Sequence, residues 1–204
     1  MPPLNDISSL TNATRQHWDE SAPYHRQTDL WPQLTQGFLK KDYSVLDNIL
    51  TSSLVSCGVS DAKLVQIGCS NGREILSTFA LGTRVGLGID QSAPFVEDAT
   101  KLRDISGHNY QFLCCDIYNL PPETDADFDI ALITIGVLNW RPDLASFFAV
   151  VAKLLRPSGR LVIYETHPVL EMFDPECPTP QTTVFSYFRQ EPHILNDIIL
   201  VRLN

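Results

Sequence analysis

Between Lys63 and Glu165 the chain alternates short apolar runs with amphipathic stretches, and that alternation leaves few folds open. Lys63–Cys69, Arg84–Asp90, Tyr110–Asp116, Phe128–Gly136 and Arg160–Glu165 read as strands. Arg73–Leu81, Ala93–Ser106 and Asp143–Leu155 read as helices. Gly82 and Gly107 stand where the first two should end, and Pro94 sits in a first turn, where proline is tolerated. In the third helix Leu144, Phe147, Phe148, Val151 and Leu155 form the inner side. Arg156-Pro157-Ser158-Gly159 is the turn leading out of it. Strand–helix–strand units require right-handed crossovers, so the expected fold is α/β, a doubly wound and mainly parallel sheet covered on both faces.

The flanks are less regular. Residues 1–60 read as a helical N-terminal extension or lid, 61–168 as the α/β core, and 169–204 as a C-terminal tail. Ser9–Glu20 predicts a helix that Pro23 would stop. An aromatic passage follows, with Trp18, Tyr24, His25, Trp31 and Phe38, and Pro23 and Pro32 suggest a loop or broken helices there. Tyr43–Cys57 has the 3.6-residue period, with Asp42 or Ser44 to cap it and Gly58 to end it. Phe173–Pro180 reads as a loop and Val184–Phe188 as a short strand. Ile194–Leu203 is apolar enough for a last strand or helix.

Composition narrows the function. The 204 residues carry a net charge of -9, which is the wrong sign for a phosphate backbone or an anionic membrane surface. Nucleic acid and membrane partners are therefore not expected. No apolar run reaches the roughly 20 residues of a membrane span. Met1–Ser9 has neither the positive charge nor the apolar run of a signal peptide. Five cysteines, unpaired in spacing, fit a reduced, cytoplasmic protein without a metal site.

Parallel sheets bind ligands at the carboxyl ends of their strands, where the strand order reverses. The first strand runs into Gly68-Cys69-Ser70-Asn71-Gly72 and then a helix start. Glycines there let the backbone turn and approach a ligand, and the helix presents unpaired N–H groups. Asp90 ends the second strand, where a carboxylate can accept from both hydroxyls of a ribose. Asp116 ends the third, where it can accept from an adenine amino group while Ile117 packs on the ring. Ile135-Gly136 ends the fourth. Taken singly, each feature is an ordinary turn or helix cap; together they predict a nucleoside site.

Val65-Gln66-Ile67-Gly68-Cys69-Ser70-Asn71-Gly72-Arg73-Glu74 resembles the cofactor loop of class I S-adenosylmethionine-dependent methyltransferases. Gly88-Ile89-Asp90-Gln91-Ser92 is similar to their ribose-binding strand end, and Cys115-Asp116-Ile117 to their adenine site. Phe128-Asp129-Ile130 and the run Leu154–Leu161 match their fourth strand and the turn into the fifth. Gly136–Trp140, Glu165–Pro168 and Trp18–Tyr24 resemble a small-molecule branch of that family. The resemblance implies S-adenosylmethionine as cofactor and a small-molecule methyl acceptor. It implies cofactor contacts from Gly68, Cys69, Ser70, Asn71, Gly72, Asp90, Gln91, Asp116, Ile117, Ile135 and Tyr24.

The chain departs from the family in three places. Gln66 replaces an acid, so no full negative charge faces the cofactor's ammonium. Ser70 replaces a glycine. The region after residue 168 is short for the usual closing helix and strands, leaving an edge that self-association as a homodimer would cover. Glu165 and His167, two apart at the end of the fifth strand, are the candidate catalytic pair; local capping is the plainer role for each. Cys69 reads as a small packing residue. Trp18, Tyr24, His25 and Trp140 either close over a sulfonium or simply dock the N-terminal segment. Two rivals stay open: a non-catalytic nucleoside-binding protein, and an NAD-dependent oxidoreductase, whose Gly-x-Gly-x-x-Gly is missing.

Overall fold

The computed structural model describes residues 7–174 and 177–188. Five strands, β1 (Lys63–Ile67), β2 (Val85–Asp90), β3 (Tyr110–Cys114), β4 (Phe128–Ile133) and β5 (Leu155–Ile163), form one all-parallel sheet of order β3-β2-β1-β4-β5. The chain winds outward from β1 to β3, then returns to β4 beside β1. The order therefore reverses at the β1/β4 boundary, which puts the crevice at the tip of β1.

Alternation along the strands divides the core. Leu64, Ile130, Leu132 and Val162 pack with α2 (Leu30–Gly37), α3 (Asn48–Ser56), α4 (Arg73–Ser77) and α5 (Ala93–Ser106). Val65, Ile67, Ala131 and Ile133 pack on the opposite face with α6 (Leu144–Leu154). Leu34, Leu50 and Leu54 of the extension are almost wholly buried in the first cluster. At about 1.5–3 kcal/mol per buried side chain, they tie residues 30–57 to the sheet.

Several boundaries differ from those read in the sequence. Pro23 does not stop the first helix: α1 runs from Ile7 to Arg26 with Pro23 inside it. A proline removes one backbone donor, but here the last turn is held from outside. Arg26 Nε donates to Asp98 Oδ2 at 2.6 Å and Arg26 Nη2 to the Pro94 carbonyl at 3.1 Å, both on α5. The third helix begins at Asn48, not Tyr43. Asp47 is its cap, accepting from Leu50 N, and Val45 N is drawn away to Ser77 Oγ. Leu144 is 45% exposed, outside the inner side of α6, while Leu154 is buried in its place. Residues 156–159 are not a free turn but a bulge within β5, since Leu155 pairs with Phe128 and Arg160 with Ile130. Val184–Phe188 forms no strand; only a single bridge joins Phe173 to Thr183. Ile194–Leu203 lies outside the described residues.

β5 is an edge strand, and its Leu161 and Ile163 are 38% and 44% exposed. Among the described residues no helix is long and apolar enough to cross a membrane. No cluster of His, Cys, Asp or Glu there is arranged for a metal, and all five cysteines are free thiols.

Candidate functional site

The loop after β1 is built from left-handed residues. Gly68, Ser70 and Gly72 have φ of +68°, +49° and +75°. A Cβ on Gly68 would lie 2.6 Å from Val137 Cγ2, and one on Gly72 2.7 Å from Phe112 Cζ. Glycine is thus required twice, by conformation and by space. At the third place Ser70 adopts the strained conformation without being glycine, and a hydrogen bond holds it there. Ser70 N donates to Asp90 Oδ2 at 2.8 Å, while Ser92 N donates to Asp90 Oδ1 at 2.9 Å. Gly68 N and Cys69 N both donate to the Ile89 carbonyl. The tips of β1 and β2 are therefore one unit, with Asp90 as its hub.

Burial pushes the Asp90 carboxyl above the usual carboxylate range, against the opposing pull of the Ser92 and Ser70 amides and the Arg141 charge. Burial, then the Asp90 and Glu74 charges, pushes the Cys69 thiol well up. Cys69 is therefore a packing residue, as its sequence suggested, and not a thiolate nucleophile.

The other expected residues fall around this unit. Asn71 and Gln91 are nearly buried, 9% and 8% exposed. Asp116 caps the short 3₁₀ turn Ile117–Asn119 through Tyr118 N, and Ile117 is buried. Ile135 is 58% exposed beyond β4, and Tyr24 is 44% exposed on α1. Gln66 is fully buried. Its Nε2 donates to Thr134 Oγ1 at 3.0 Å, and its Oε1 has no donor among the described residues.

Glu165 and His167 each engage nearby backbone. β5 ends at Ile163, so strand alternation no longer places them on one side. Glu165 accepts from Gly136 N (2.6 Å), Val137 N (3.0 Å), Leu138 N (3.2 Å) and its neighbour Thr166 N (2.9 Å). Its carboxylate holds the loop after β4 in shape. His167 Nδ1 accepts from Val169 N and caps the 3₁₀ turn Pro168–Met172. Both Glu165 oxygens and the Nδ1 of His167 thus serve local backbone structure.

Residues that sequence reasoning did not single out complete the roof. Asp19 Oδ1 accepts from Ser92 Oγ at 2.8 Å, just past β2. His17 stacks on Trp140, centroids 5.3 Å apart, and Trp18 meets Trp140 and Phe95 edge-on. α1 thus spans from the tip of β2 to the loop after β4, across β1. A small recess, partly open to solvent, lies beside it, lined by His25, Arg26, Trp31, Asn71, Phe95 and Asp98 among others. Burial and the Arg73 charge lower the His25 pKa. Arg141, between the Trp140 turn and α6, has the ring of Phe147 under its guanidinium at 5.6 Å. Its Nε is buried with no hydrogen-bond partner among the described residues.

These features suit a ligand with a nucleoside and an ammonium group. A buried acceptor without a donor (Gln66 Oε1), a buried donor without an acceptor (Arg141 Nε) and a glycine cradle are gathered at the strand tips.

Residues 65–163 match a family model described as a methyltransferase domain. Solved structures of similar fold include an S-adenosylmethionine-dependent methyltransferase from Mesorhizobium loti, at TM-score 0.51 and 22% identity, covering 60% of this chain and 56% of that one. A second is a putative S-adenosyl-L-methionine-dependent methyltransferase from Methanococcus maripaludis, at 0.53 and 16%, covering 81% and 65%. A third is the [4+2]-cyclase SpnF, at 0.55 and 21%, covering 74% and 58%. The chain thus spans between half and two thirds of the length of these structures. Identities this low speak for the fold alone. No curated protein matches the chain.

Proposed function

We propose that this chain, whose residues 65–163 match a methyltransferase domain, is a class I S-adenosylmethionine-dependent methyltransferase that binds its cofactor at the tips of β1 and β2 and methylates a small-molecule acceptor. The observation that carries the reading is the coupling of the left-handed Gly68–Gly72 loop to Asp90 through Ser70 N. Each carboxylate oxygen of Asp90 carries one amide, and its remaining lone pairs are available to ribose hydroxyls. Asp116 and Ile117 stand one strand further on, in reach of the purine. Gln66 Oε1 is available to an ammonium.

When bound, S-adenosylmethionine supplies an electrophilic methyl group and a good leaving thioether, so the protein's task is alignment and exclusion of water. α1 serves the second part. Trp18 and Trp140 present aromatic surface at the roof, suited to a sulfonium, and the Asp19–Ser92 hydrogen bond fixes the helix over the loop. The backbone amides gathered on the Glu165 carboxylate favour an acceptor that needs no strong base, such as an amine already neutral or a thiolate.

One observation favours a second reading, that the chain binds the nucleoside without methyl transfer: the carboxylate at the end of β5 is fully engaged by backbone amides. The same fold occurs in the [4+2]-cyclase SpnF. Thermal shift with S-adenosylhomocysteine against NADH, followed by tritiated-methyl incorporation into a panel of small acceptors, separates the possibilities. Stabilisation by S-adenosylhomocysteine with methyl incorporation is the expected outcome. Stabilisation by NADH alone overturns the assignment, and binding without incorporation favours the second reading.

A further inference from the structure

Arg141 is the one residue at the strand tips whose chemistry the roles above leave unused. It follows the 3₁₀ turn Leu138–Trp140 and precedes α6. Phe147 of α6 supports the face of its guanidinium. Tyr118, whose amide donates to Asp116, exchanges hydrogen bonds through its hydroxyl with the backbone of Asp143, two residues past Arg141, which brings the Arg141 segment against the Asp116 turn; the Asp90, Tyr118 and Asp116 charges act on its guanidinium. Yet its buried Nε–H has no acceptor among the described residues. A buried guanidinium donor without a partner is costly to the fold, and an aromatic ring beneath it pre-orders the fork at the same time. That combination is what a ligand-reading residue needs: a donor held in place, desolvated in advance and not consumed by the protein.

The neighbours decide what it reads. Asp116 offers only acceptors, so it suits an exocyclic amino group. Arg141 offers only donors, so it suits an unprotonated ring nitrogen. An amino group flanked by such a nitrogen is the pattern of adenine. Guanine and hypoxanthine present a carbonyl where Asp116 would want a donor and, at N1, an N–H where Arg141 would want an acceptor; at N7 they differ from adenine only through that carbonyl. We propose that Arg141 is a cofactor-contacting, specificity-determining residue that donates to a ring nitrogen flanking the amino group of adenine, N1 or N7, with Asp116 accepting from that amino group. This rests on the reading of the strand tips as an S-adenosylmethionine site.

The test is calorimetric titration of the full chain with S-adenosylhomocysteine and with its 1-deaza and 7-deaza analogues, in wild type, Arg141→Met and Arg141→Lys. Thermal unfolding of each variant confirms that it is folded. For wild type, one deaza analogue is expected to bind about tenfold to a hundredfold more weakly than the parent, the worth of one charge-assisted hydrogen bond. In Arg141→Met the parent should weaken by a similar factor and the difference between parent and that analogue should vanish, because donor and acceptor form one contact. Arg141→Lys should restore part of it. Equal binding of S-adenosylhomocysteine to wild type and Arg141→Met overturns the inference. So does a loss in Arg141→Met that falls equally on parent and both analogues, which would make Arg141 a positioning residue for Asp90 or the loop. Failure of wild type to bind S-adenosylhomocysteine at all would instead sink the underlying cofactor reading.

Discussion

Replacing Asp90 by alanine tests the hub of the site, and its two effects can be separated. In the free protein Asp90 accepts from Ser70 N and Ser92 N at 2.8 and 2.9 Å. Removing the carboxylate orphans both amides, at about 1–3 kcal/mol each. Against that stands a gain: burial holds the Asp90 carboxyl above its usual range, so its charge is itself expensive in the fold. A net loss of about 1–4 kcal/mol of stability is therefore expected for Asp90→Ala, and a smaller one, about 1–2 kcal/mol, for Asp90→Asn, which orphans one amide, keeps one acceptor and removes the buried charge. Binding should rank differently. A carboxylate that accepts two ribose hydroxyls contributes about 1.5–3 kcal/mol per hydrogen bond, so Asp90→Ala should weaken S-adenosylhomocysteine by at least about a hundredfold. Asp90→Asn keeps the fold but should still lose roughly tenfold or more. Calorimetric titration and chemical denaturation of the three proteins measure both quantities. If Asp90→Ala binds as tightly as wild type, the ribose is not held there and the argument from the strand tips fails.

Three further outcomes follow from the geometry. Glu165→Gln leaves a single oxygen for four amide donors, so amide exchange at Gly136–Leu138 should accelerate and stability fall by about 2–4 kcal/mol; a catalytic base would instead show lost turnover with the loop unchanged. Arg26→Met leaves Asp98, only 2% exposed, with Lys101 as its sole cation. Because Arg26 is itself a third exposed, the cost should be about 1–3 kcal/mol rather than that of a wholly buried pair, and limited proteolysis should cut first near the end of α1. His108 is 6% exposed, stacks on Phe79 with centroids 3.8 Å apart, and has an unpartnered Nε2. Burial lowers its pKa, so the native state binds fewer protons than the unfolded chain. Its contribution is intact above about pH 6.5 and is lost as pH falls below that value. Denaturation midpoints measured from pH 7.5 to 5 should fall in wild type and fall less in His108→Phe.

The strands, α5 and the glycine loop were legible because their signals are local. Gly107 ends α5 where expected, and Gly68 and Gly72 occupy the left-handed positions that their residue type invites. The extension was less legible because contacts elsewhere override local preference. Pro23 argues for a stop, and only Asp98 and Pro94, some seventy residues away, explain why α1 continues. The periodicity of Tyr43–Cys57 was real, but Ser77 competes for Val45 N and moves the helix start to Asp47. The site shows the same division. Asp90 and Asp116 announce themselves at strand ends. Asp19 and Arg141 do not, since nothing near them in the chain shows that they meet Ser92 or the β2 and β3 carboxylates. Glu165 was visible as an acid at a strand end, but not the convergence of amides on its carboxylate.

The bolting of α1 across the strand tips carries a kinetic price. A molecule seated on Asp90 must leave past a helix pinned at Ser92, Trp140 and Asp98. A cofactor bound as proposed would then escape only as fast as that helix unlatches. Loosening the latch at Asp19 should raise its dissociation rate, so release would answer to α1 (Ile7–Arg26) as much as to the strand tips.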